Sequence, residues 1–128
     1  MNAEIPGLAG AWIADTVTKL PPEAIGAVIL TGSHGGRYPG YQAATVGVRG
    51  VIFNDAGIGL QDAGIGSLGY LDDLGIAAAV VSHESARIGD ARDMLDRGVI
   101  SRCNMAAAAL GATPGQSARE AAGLMRSA

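Results

Sequence analysis

Gly50-Val51-Ile52-Phe53-Asn54-Asp55 carries the pattern that sets the fold class. Three bulky apolar residues stand side by side with no polar alternation, and two polar groups follow at once. An unbroken run of this kind suits a strand covered on both faces, as in a parallel sheet. The same pattern recurs on either side, in Ala27-Val28-Ile29-Leu30-Thr31, in Ile76-Ala77-Ala78-Ala79-Val80-Val81 and in Val99-Ile100-Ser101-Arg102-Cys103.

Helical signals fill the intervals. Leu8, Trp12, Ile13, Val17 and Leu20 repeat at helical spacing before Pro21-Pro22, which stops a helix. A second helix is expected to start at Pro39, whose fixed φ suits the first helical position, and to end at Gly47. Ile65, Leu68, Leu71 and Leu74 form a stripe ended by Gly75, and Asp90 with Asp93 gives an acidic first turn to a helix ending near Gly98. Thr113-Pro114-Gly115-Gln116 has the form of a capping box that opens the last helix. The order α-β-α-β-α-β-α-β-α predicts one three-layer α/β domain over residues 1–128. It is expected to be Rossmann-like or flavodoxin-like, with a mainly parallel sheet of about four strands.

Composition narrows the function. The 128 residues are 48% hydrophobic and 16% charged, with a net charge of −3. That charged fraction lies below the roughly 25% of an average domain, which excludes a disordered chain and favours a homo-oligomer. Nine Lys and Arg, never in a run, leave no footprint for nucleic acid. The single Cys103 cannot form an intrachain disulfide, and as a lone cysteine in an apolar strand it reads as a small core residue. Met1-Asn2-Ala3-Glu4 lacks a signal-peptide pattern, and no apolar stretch approaches the ~20 residues of a membrane span. A cytoplasmic protein without membrane contact is expected.

In an open α/β sheet, ligands gather beyond the carboxyl ends of the strands. The polar residues sort to that edge: Ser33-His34-Gly35-Gly36-Arg37 after the first strand, Asn54-Asp55 after the second, Ser82 to Asp90 after the third, and Asn104 after the fourth. Both histidines of the chain are among them. The glycine loop brings backbone amides to a helix N-terminus, a setting for a carboxylate, phosphate or developing oxyanion. Gly35, Gly36, Arg37, Asn54, Arg87 and Asn104 are the expected substrate-binding residues. His34, Asp55 and His83 have the proton-exchanging groups of acid-base catalysis, with Ser33 or Ser85 as candidate nucleophiles.

Other chemistries fit less well. Ser67 follows Ile65 where a nucleophile elbow requires glycine, so an α/β-hydrolase assignment fails. Gly64-Ile65-Gly66-Ser67-Leu68-Gly69 has a dinucleotide-loop spelling but does not directly follow a strand. Asp55-Ala56-Gly57-Ile58-Gly59 recurs as Asp62-Ala63-Gly64-Ile65-Gly66, where Asp62 suits a helix cap. No cofactor is required by the sequence. A divalent metal would need His34, Asp55, His83 and a further carboxylate to converge without any compact ligand motif.

The inventory points to a hydrolase or lyase acting on a small anionic substrate that bears a carboxylate or phosphate. Two alternatives remain. One is a noncatalytic sensor or accessory subunit for a small anion or nucleotide. The other is a structural oligomer-forming subunit, suggested by Ala106 to Ala109 and the stripe Ala118, Ala121, Ala122 and Met125.

Overall fold

The structure is a computed structural model that describes residues 2–56 and 66–126. Among the described residues, six strands form one sheet in sequential order: β1 (Asn2–Glu4), β2 (Ala11–Ala14), β3 (Val28–His34), β4 (Gly50–Asn54), β5 (Ala77–Val81) and β6 (Ile100–Cys103). The pairs from β2 to β5 are parallel, whereas β1 and β6 run antiparallel to their neighbours at the two edges. The chain is therefore α/β, but its sheet is mixed and six-stranded rather than mainly parallel with about four strands.

The central strands are buried on both faces, as their continuous apolar runs require. Val28, Leu30, Ile52, Ala77, Ala79 and Val81 enter one core with helices α3 (Ala91–Arg97), α4 (Met105–Ala109) and α5 (Ala118–Arg126). Ile29, Val51, Phe53, Ala78 and Val80 enter the other with α1 (Arg37–Val46) and α2 (Gly66–Asp73). Ala118, Ala121, Ala122 and Met125 are all buried in the chain's own core, so that stripe is already covered. Gly47, at φ 91°, ends α1 in the left-handed conformation that a glycine adopts without a Cβ penalty. Among the described residues, no helix is long and apolar enough to cross a membrane.

Two local expectations are corrected. Residues 8–20 do not form a helix: in β2, Ala11 and Ile13 face the first core while Trp12 and Ala14 face the second, the two-residue alternation of a strand. Positive φ at Gly7 and Gly10 turns the chain so that β1 and β2 pair as a hairpin. Two short 3-10 helices, Val17–Lys19 and Pro22–Ala24, then carry the crossover to β3. The capping box of the last helix lies four residues later than Thr113: the Ser117 hydroxyl accepts from the Glu120 amide at 3.1 Å, and the Glu120 carboxylate accepts from the Ser117 amide at 3.5 Å.

The direction of β6 has the largest consequence for the site. Residues 82–90 cross the carboxyl edge as a strap, and α3 packs against β2 and β3 on the far face. The chain then returns so that the Ser82 amide donates to the Val99 carbonyl at 2.9 Å. β6 thus begins where β5 ends and must run back. Asn104 consequently lies at the amino edge of the parallel strands, opposite the expected location.

Candidate active site at the carboxyl edge

β3, β4 and β5 are neighbours, and their backbones lie about 4.8 Å apart. Their exits bring Ser33-His34, Asn54-Asp55 and Ser82-His83 to one edge. The ladder continues past the strand ends, with the Gly35 amide donating to the Asn54 carbonyl and the Asp55 amide to the Val81 carbonyl, both at 2.9 Å.

Asp55 and His83 meet. The Asp55 Oδ1 atom accepts from His83 Nδ1 at 2.7 Å and from the His83 amide at 2.8 Å. Its other oxygen, Oδ2, accepts from the Ser101 hydroxyl at 2.7 Å. The Asp55 side chain is only 8% exposed, whereas that of His83 is 49% exposed. Burial pushes the Asp55 carboxyl up, but the hydrogen bonds from Ser101 and His83 outweigh it and hold the group below its ordinary value. The hydrogen bond to Asp55 raises the His83 imidazole, against a smaller effect of burial, and the Asp55 and Glu84 charges add to the rise. Because an ionised carboxylate only accepts, His83 carries a proton on Nδ1, and in its neutral form Nε2 is the bare, basic nitrogen.

His34 is arranged the other way round. Its Nδ1 accepts from the Gly36 amide at 3.1 Å, so its neutral ring carries the proton on Nε2. A cleft of about 370 Å³ opens beside it, lined by Asp15, Thr16, Ser33, Tyr38 and Gln42 among others. This volume falls within the range of small-molecule sites. His83 does not line that cleft. The two histidines therefore share an edge without sharing a wall.

No protein-family model, curated protein or solved structure matches this chain. Its chemistry must be read from its own side chains.

Several expected site residues have structural partners. The Ser33 hydroxyl accepts from the Val17 amide at 3.1 Å. The Ser85 hydroxyl donates to the Ser82 carbonyl at 2.7 Å and accepts from the Val99 amide at 3.0 Å, pinning the strap to the entry of β6. Asn54 is fully buried, its amide donating to the Ala86 carbonyl at 3.2 Å and its oxygen accepting from the Ala56 amide at 2.9 Å. Asn104 accepts from the Ala78 and Ala107 amides and donates to the Leu68 and Ile76 carbonyls, which joins β5, α2 and α4 at the opposite edge.

The remaining residues stay at the rim. Gly35 and Gly36 form the buried turn into α1, where the Gly35 carbonyl accepts from the Ser67 amide at 2.8 Å. Arg37 is exposed at the first residue of α1 and packs beside Gly66. Arg87 is exposed on the strap, which is anchored where its amide donates to Asp93 at 2.8 Å. Asp90 caps α3 by accepting from the Asp93 amide at 2.9 Å. Asp62 and the first two positions of the dinucleotide-loop spelling lie outside the described residues. Among the described residues, no three His, Cys, Asp or Glu side chains come together as a metal site.

Ser101 is the residue that sequence reasoning missed. Its signal was a hydroxyl in an otherwise apolar strand start, but a parallel fourth strand would have carried it away from Asp55.

Proposed function

We propose that this chain is a cytoplasmic small-molecule enzyme, a hydrolase or lyase, that uses His83 as general base on a substrate bearing a carboxylate or phosphate. The observation that carries this reading is the Asp55–His83 hydrogen bond with a bare Nε2 on a half-exposed ring. Nε2 takes a proton from water or from the substrate, and the buried Asp55 carboxylate stabilises the imidazolium that forms. His34, with its proton on Nε2, offers a donor to a developing negative charge. Arg37 and Arg87 supply exposed guanidinium groups for the anionic part of the substrate.

The test is a turnover screen of the full chain against phosphate esters, carboxylate esters and hydroxy acids, with His83→Ala and His34→Ala as controls. Turnover that His83→Ala abolishes and His34→Ala lowers, with folding intact, supports the reading. Full activity in His83→Ala overturns it.

A noncatalytic small-anion or nucleotide sensor is favoured by one observation, that the cleft is lined by His34 without His83. That reading expects ligand binding to survive loss of both histidines, with nothing consumed.

A further inference from the structure

The pairing of β5 with β6 contains an extra residue. Ala79 faces Cys103 and Val80 faces Arg102, but Val81 faces Ile100, so Ser101 is the one residue of β6 without a partner. In an unbroken antiparallel ladder Ser101 would stand opposite Val81, whose side chain enters the core beneath α3 and α5. Ile100 would then lose its own place in that core, where it is 1% exposed. The bulge resolves both conflicts: Ile100 stays in the core, and the Ser101 hydroxyl is turned over the end of β5 to Asp55 Oδ2 at 2.7 Å.

We propose that the bulge at Ser101 serves the site, and that Ser101 is a positioning residue that fixes the Asp55 carboxylate and, through it, the His83 imidazole. Both donors from His83 go to Oδ1 alone. The torsion that orients a carboxylate is broad, so bonds to one oxygen leave its plane free to turn. A donor on the second oxygen removes that freedom. The direction of the Nδ1–H bond, and hence the outward aim of Nε2, then becomes a fixed property of the fold.

The same geometry defines what Ser101 and Asp55 do not do. The Ser101 hydroxyl donates to Asp55 Oδ2 at 2.7 Å, on the side of the dyad away from Nε2, with the Val80 carbonyl a more distant acceptor at 3.4 Å, so this hydroxyl is not a nucleophile activated by His83. Asp55 already accepts three hydrogen bonds, which leaves proton transfer to the imidazole.

The proposal rests on the reading of His83 as base, but its test needs no substrate. Side-chain NMR of the full chain would follow the Asp55 carboxyl titration and the His83 ring nitrogens in Ser101→Ala, Ser101→Cys and Ser101→Thr. In the alanine variant, the Asp55 midpoint should rise and the Nδ1 proton resonance of His83 should be lost through exchange. Cysteine, a weak donor of nearly the same size, should shift both readouts the same way. Threonine, which keeps the hydroxyl, should restore the wild-type titration and tautomer. Unchanged Asp55 and His83 signals in folded Ser101→Ala, or in Ser101→Cys if the alanine variant does not fold, overturn the proposal. Should these signals shift as expected while His83→Ala retains full turnover, the positioning role stands and the general-base reading fails.

Discussion

His34 and His83 present opposite tautomers at one edge of the sheet: Nδ1 of His34 accepts from the Gly36 amide, and Nδ1 of His83 donates to Asp55. The edge thus offers one proton donor and one proton acceptor through the two Nε2 atoms. Replacing His83 by alanine should lower kcat/KM by roughly 10²–10⁴-fold, the usual contribution of a general base. The chain should still fold, because the His83 ring is half exposed and fills no core position. His34→Ala should cost less, since its ring supplies a hydrogen bond rather than the accepting base. Equal activity of wild type and His83→Ala over pH 5 to 8 would be decisive against this assignment.

The pH dependence of turnover follows from the dyad. His83 must be neutral to accept a proton, and its hydrogen bond to Asp55 holds it above the ordinary value of 6.5. The acid limb of kcat/KM should therefore have its midpoint above 6.5. Asp55→Asn removes the negative charge and should move that midpoint down while lowering the maximum. A midpoint that does not move in Asp55→Asn would show that another group titrates.

The same pair gives folding stability a two-sided pH profile. Asp55 is depressed in the folded state, so its contribution is present above an unfolded value of about 3.9 and is lost as pH falls through the folded value. His83 is raised, so its contribution is complete below about 6.5 and is lost as pH rises through the folded value. Both are present together between about pH 4 and 6.5. Denaturant titrations from below about pH 4 to well above about pH 6.5 should show the advantage of wild type over Asp55→Asn at its largest between those values, shrinking on either side. A difference that stays constant beyond both ends of that window would contradict the linkage.

The central strands were legible in the sequence because burial on both faces leaves a mark no surface strand has, the unbroken Val51-Ile52-Phe53 run and its neighbours. Asp55 and His83 were legible for a related reason, since polar residues that follow such runs must emerge at one edge. β2 was not, because four residues are too few to display alternation, and Leu8, Trp12, Ile13 and Val17 also satisfy a helical period. Ser101 and Asn104 depend on the direction of β6. That direction is set by where α3 packs, a tertiary fact with no local signature.

Asn104 makes a prediction about stability alone. Its side chain bonds two amides and two carbonyls while only 5% exposed. Asn104→Ala leaves those backbone groups short of partners in a buried position and should cost on the order of 3–5 kcal/mol. Turnover by the fraction that remains folded should match wild type, because this residue lies at the edge remote from Asp55. A loss below about 1 kcal/mol would mean that water replaces the amide without penalty.

Gly32 and Gly69 offer a contrast in which one methyl group should act with opposite signs. A Cβ on Gly32 would meet the Gly89 carbonyl carbon at 2.6 Å, the Asp90 nitrogen at 2.7 Å and the Asp15 oxygen at 2.8 Å. All three are backbone atoms, so relief requires β3 and the strap to separate, with loss of the Gly89 amide bond to the Gly32 carbonyl. Gly32→Ala should destabilise the fold by about 1–3 kcal/mol and speed amide exchange over residues 82–90. Gly69 stands inside α2 with nothing among the described residues within 4 Å of a Cβ, so alanine there meets no clash with them and gains helix propensity. Gly69→Ala should stabilise by up to about 1 kcal/mol. Denaturation midpoints of the two variants should therefore move apart from wild type in opposite directions, and a Gly32→Ala protein as stable as wild type would mean that the strap is not seated against β3.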